Sequence, residues 1–87
     1  MITQYNIVKS LAGRDQNNLY VVSFVEGDYC YLVDGKTKPL TKPKRKKIKH
    51  IECLASAQQE LLGVFDSKLQ TNDAKIRKFL KEFQKSL

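Results

Sequence analysis

Only two cysteines, two prolines, four glycines and one histidine occur among the 87 residues, and no apolar run is long. Cys30 and Cys53 are too few for a disulfide scaffold, and both thiols are expected to be reduced and buried. Together with His50 they supply three zinc ligands where a closed structural site takes four, so no metal or other cofactor is expected. Catalysis has equally little to use. There is no glycine-rich phosphate cradle, no second histidine and no carboxylate pair beside a nucleophile, and Asp34 is better explained by a turn. The chain does not read as an enzyme. Its longest apolar stretch, residues 20–25, is interrupted by Ser23 and is far too short to cross a bilayer. No charged-then-apolar leader opens the chain, so a cytoplasmic protein that neither enters nor binds a membrane is the expectation.

What the chain has in excess is positive charge in one place. The formal net charge is +7, yet residues 1–35 are net acidic, with Lys9 and Arg14 against Asp15, Glu26, Asp28 and Asp34. Residues 36–50 contain Lys36, Lys38, Lys42, Lys44, Arg45, Lys46, Lys47 and Lys49, and no acid. Both prolines, Pro39 and Pro43, fall in the same stretch. Such a composition in isolation describes a solvated or disordered loop. Here sequence patterned as strand flanks it, its prolines lower the entropy lost on ordering, and no neighbouring acid in sequence neutralises it. A local field of this kind suits a polyanion.

The first half patterns as strands. Residues 5–11 form a short mixed run; residues 19–25 (LYVVSFV) are apolar at both parities, as in a strand covered on both sides. Gly27-Asp28 and Asp34-Gly35 are hairpin signals around YCYLV, which predicts an antiparallel meander continuing into a fourth strand over residues 36–40; Pro39 and Pro43 lack the amide donor, so that segment must be an edge, a bulge or an extended loop. A fifth strand is predicted over residues 47–54, with a bulge near His50 to reconcile Ile48 with Ile51 and Cys53. The second half patterns as helix. Ser56 and Gln59 have capping-box spacing before a stripe of Ala57, Leu61, Val64 and Phe65, which Gly63 interrupts. Thr71 or Asn72 is positioned to cap a second helix with Ile76, Phe79, Leu80, Phe83 and Leu87 on one face. That face must cover something, either the strands or a second copy of the chain.

Three segments carry a family resemblance: VKSLAGRDQNNLYVVSFVEGDYCYLVDG, then KPLTKPKRKKIKHIECL, then TNDAKIRKFLKEF. In this order they resemble bacterial KOW-domain RNA-binding proteins, which are similar to a large-subunit ribosomal protein of archaea and eukaryotes. The resemblance covers nearly the whole chain except residues 55–70. It implies a mostly β fold, a small five-stranded SH3-like barrel of KOW type over residues 1–54. One or two helices from residues 55–87 would pack outside it in a single compact unit. The family's loop glycine is Asn17 here, the residue next most able to take positive φ, and its flanking basic positions are Gln16 and Asn18. Arg14 is left as the only cation of that loop. The glycine usual near the first strand is replaced by Tyr5-Asn6.

Residues and resemblance together point to contact with structured RNA, ribosomal RNA or the ribosome being the implied partner, and to no small-molecule substrate. The candidate contacts are Arg14, Lys36, Lys38, Lys42, Lys44, Arg45, Lys46, Lys47, Lys49 and His50, with Lys78, Lys81 and Lys85 as a second set. Lysines neutralise phosphate as point charges, whereas arginine can also fork or stack. Nothing resembles a base-reading code; four tyrosines offer stacking surface only where they are exposed. A monomer is expected. The rival readings are a protein-interaction module whose basic loop is incidental, and peripheral binding to an anionic membrane.

Overall fold

A computed structural model describes all 87 residues. Five strands form one antiparallel sheet: β1 (Asn6–Ser10), β2 (Leu19–Glu26), β3 (Tyr29–Val33), β4 (Lys44–Lys47) and β5 (Ile51–Ser56), in the order β4-β3-β2-β1-β5. A single helix, α1 (Gln70–Lys85), follows. The fold is therefore mostly β with one C-terminal helix. No helix is long and apolar enough to cross a membrane.

Both sheet faces carry an apolar cluster, which is why β2 lacks simple alternation. On one face Ile7, Val21 and Val33 pack with Leu40, Ala57, Leu61, Val64, Ile76 and Leu80. On the other, Val8, Tyr20, Val22, Cys30, Leu32 and Ile51 pack together. The coverage ends at Val22, for Phe24 and Val25 are exposed. A register shift between Val22 and Phe24 leaves Ser23 unpaired, so Phe24 falls opposite Tyr31 on the same face as Val21 and Val33. The apolar stripe of α1 covers that face: Ile76 and Leu80 are buried, each contributing roughly 2 kcal/mol. Phe79 and Phe83 pack at its margin.

Three expectations about the sheet are corrected. The fourth strand lies at Lys44–Lys47, beyond both prolines, rather than at residues 36–40. Asp34-Gly35 does not close a tight hairpin. The Asp34 carboxylate instead accepts from the amides of Lys36 and Lys38, both 2.8 Å, and from the Thr37 hydroxyl, 2.7 Å, which makes residues 34–43 a loop. Between β4 and β5 stands a 3₁₀ turn, Ile48–His50, in place of a bulge. Its i,i+3 geometry brings Ile48 over the same cluster as Ile51, and the bulge falls later, at Leu54, where β5 pairs with β1.

The helix predicted across residues 56–69 is a chain of turns. Ala57, Leu61 and Val64 do enter the core, so the stripe is real, but Gly63 at φ 86° breaks helical continuation. The remaining helix starts at Gln70 with Leu69 as its N-cap; Asn72 lies inside the first turn and donates to the carbonyl and hydroxyl of Ser67.

Candidate functional site

β4 sorts the basic run by parity. Arg45 and Lys47 pair with Tyr31 and Tyr29 and are exposed, whereas Lys44 and Lys46 pair with Leu32 and Cys30 and are half-buried. The half-buried pair has a counter-charge that is remote in sequence. Lys46 Nζ lies 2.6 Å from Asp15 Oδ1 and donates to the Ala12 carbonyl at 2.8 Å; Lys44 Nζ lies 3.5 Å from Asp15 Oδ2. The Asp15 carboxylate also accepts from Ser10 Oγ and Tyr20 Oη, at 2.9 and 3.2 Å. Burial alone raises its pKa. The Lys46 and Ser10 hydrogen bonds and the charges of Lys46 and Lys44 outweigh that and hold it at about 2. The same surroundings push the Tyr20 phenol up, burial first and the Asp15 charge adding to it. The expectation of an unneutralised basic run is thus overturned at these two lysines.

The β3–β4 loop is ordered by α1. Leu40 is buried, and its amide donates to the buried Asp73 carboxylate at 2.8 Å. Arg77 donates to the Gly35 carbonyl at 2.7 Å. Gly35, at φ 75°, lies so close beneath the helix that an added Cβ would overlap the Asp73 carbonyl oxygen. Lys36 is thereby fixed beside the helix rather than left on a free tether.

The consequence is a groove of about 760 Å³ between α1 and the β1–β2 and β3–β4 loops. Lys36, Arg77, Lys78 and Lys81 line it together with the amide side chains of Asn17 and Asn18. Asp34 is its one acid, and its carboxylate is already hydrogen-bonded within its own loop. Asn17 adopts φ 74°, which closes the β1–β2 turn without a glycine. Four cations against one acid make a concave anion-attracting surface.

The other candidates separate. Arg14, Lys42 and Lys49 are exposed and Lys38 is half-buried, none of them in an ion pair. His50 is half-buried in the 3₁₀ turn and its carbonyl accepts from the Leu11 amide at 2.8 Å. Lys85 pairs with Glu82 at 3.6 Å, outside the groove. Cys30 is buried, with its thiol pushed up by that burial, but Cys53 is exposed, against expectation. No three His, Cys, Asp or Glu side chains converge.

Sequence reasoning missed Arg77, Asn17, Asn18 and Asp15. Arg77 adjoins Lys78 on the basic side of the helix pattern and was legible there. The role of Asp15 was not, because its partners lie about thirty residues away in sequence. No protein-family model matches the chain, and no curated protein matches it.

Proposed function

We propose that this protein binds structured RNA, ribosomal RNA being the expected class, through the cationic groove and the adjoining basic loop. The observation that carries the reading is that Lys36, from the basic segment, is brought together with Arg77, Lys78 and Lys81 of α1 across a groove with one acid. Neutralising several phosphates at once releases their condensed counterions, which is the dominant sequence-independent source of RNA affinity. The concave shape and the absence of a base-reading array favour recognition of a folded backbone.

A KOW-type SH3-like barrel is the architecture proposed for the sheet. It is supported by the strand order β4-β3-β2-β1-β5, in which the two edge strands are consecutive and joined only by the 3₁₀ turn. The Lys46–Asp15 bridge further ties β4 to the β1–β2 loop across the face that buries Tyr20 and Val22. Tyr5, at the position of the family's glycine, adopts φ 72°, a glycine-like conformation, and its hydroxyl accepts from the Gly63 amide at 3.0 Å.

The test is filter binding to a ribosomal RNA fragment over a salt series. A logarithmic slope of about −3 or steeper is expected from four or more phosphate contacts. An affinity that hardly responds to salt would remove the phosphate-neutralisation reading.

A further inference from the structure

The sheet face that α1 covers at Val21 and Val33 continues along β2, β3 and β4 into a part that stays open, where Phe24, Arg45 and Lys47 are exposed and Tyr29 and Tyr31 half-buried. Register places Phe24, Tyr31 and Arg45 in one row across the three strands, and Glu26, Tyr29 and Lys47 in the next. Phe24 and Tyr31 stack with ring centroids 4.1 Å apart and planes within 9°. Phe24 keeps 44% of its surface open, so the two-ring stack ends in solvent. Beside it the Arg45 guanidinium lies 3.8 Å from the centre of the Tyr29 ring.

Neither Arg45 nor Lys47 forms an ion pair, although Lys44 and Lys46 on the same strand do. A second groove of about 460 Å³ adjoins this row, lined by Tyr29, Lys47 and Lys49 together with Asp28 and Ile48. Flat π-surface ending in solvent, a planar cation already lying over a ring, and unpaired lysines alongside match a nucleotide, whose base stacks while its phosphate meets a cation. Glu26 stands across Tyr29 from Lys47, and Asp28 shares the second groove with Lys47 and Lys49, so cations outnumber acids in that groove two to one, with Arg45 alongside.

We propose that this face is a stacking platform for unpaired RNA bases, with Phe24 and Arg45 as the stacking groups and Lys47 and Lys49 as the phosphate contacts. The inference rests on the RNA-binding reading and adds to it a preference for single-stranded segments, separate from the backbone-binding groove. A docked RNA would then present a duplex region to α1 and an unpaired base to the hairpin.

The full chain is titrated with a short oligouridine strand and with a blunt RNA duplex. Phe24→Ala is expected to weaken the single strand about tenfold and leave the duplex unchanged. Arg45→Lys keeps the charge but loses the plane, and is expected to weaken the single strand alone. Phe24→Trp introduces a fluorophore the wild-type chain lacks and retains the platform; oligouridine should quench its emission and bind at least as tightly. Phe24→Ala binding oligouridine as well as wild type, or losing both ligands equally while its melting temperature holds, overturns the platform and leaves the groove standing. A wild-type chain that binds neither RNA overturns both.

Discussion

Asp15 and Lys46 show that a basic segment contains residues with different duties. Lys46 is held between the Asp15 carboxylate and the Ala12 carbonyl, so its removal leaves a half-buried carboxylate with Lys44 as its one remaining cation. Lys46→Met is expected to lower stability by about 2 kcal/mol in urea denaturation, and Lys47→Met, on the exposed parity, by less than about 0.5 kcal/mol. The same carboxylate sets a pH dependence. Its pKa falls from 3.8 to about 2 on folding, so the stabilisation is complete above about pH 4 and is lost as pH drops through 2. Between those values the stability gap between wild type and Asp15→Asn should narrow by roughly 2 kcal/mol. A constant gap across that window would place the depressed pKa elsewhere.

At the scale of elements, the β3–β4 loop and α1 form one unit. Asp73 and Arg77, one helical turn apart, hold the Leu40 amide and the Gly35 carbonyl, and Leu40 enters the core beneath them. A proline- and lysine-rich stretch becomes ordered because Asp34 gathers it from within while α1 holds Leu40 and Gly35 from outside. Gly35 combines positive φ with contact against helix backbone that cannot retreat as a flexible side chain would. Gly35→Ala is therefore expected to cost about 3 kcal/mol. Amide exchange should accelerate at Lys38 and Leu40 first, because the clamp opens there. A variant with unchanged exchange at these amides would show that the helix does not hold the loop.

Across the whole molecule, α1 serves two surfaces at once. Its apolar side, Ile76 and Leu80, covers the sheet, while Arg77, Lys78 and Lys81 form one wall of the cationic groove. Of the stripe, Ile76 and Leu80 are covered within the chain, Phe79 and Phe83 in part, and Leu87 is exposed. Since Lys36, Lys78 and Lys81 are exposed and unpaired, replacing all three by alanine should leave the melting temperature near wild type. RNA affinity should fall at least tenfold at moderate salt, and the salt slope should become shallower by about 2 to 3. An equal loss of affinity with an unchanged slope would point to contacts other than phosphate.

The strands β1, β2 and β3 and the apolar face of α1 were legible in the sequence because each is dictated by neighbours within a few residues, whereas the positive φ of Asn17 was implied by the family resemblance. Alternation, β-branching and a repeat of three and four residues are local signals. Residues 56–69 show where such signals mislead: the stripe of Ala57, Leu61 and Val64 reports burial, and Gly63 decides that the burial is not helical. The position of β4 depended on Asp34 gathering the amides that a strand would have used. Which lysines are free depended on Asp15, which the fold places beside Lys44 and Lys46. Sequence alone determined that a concentrated positive charge would stand on a small β-rich domain. Only the tertiary structure could divide that charge, because pairing is settled by distance in space: Lys44 and Lys46 brace the fold, and Lys36, Arg45 and Lys47 remain open to a partner.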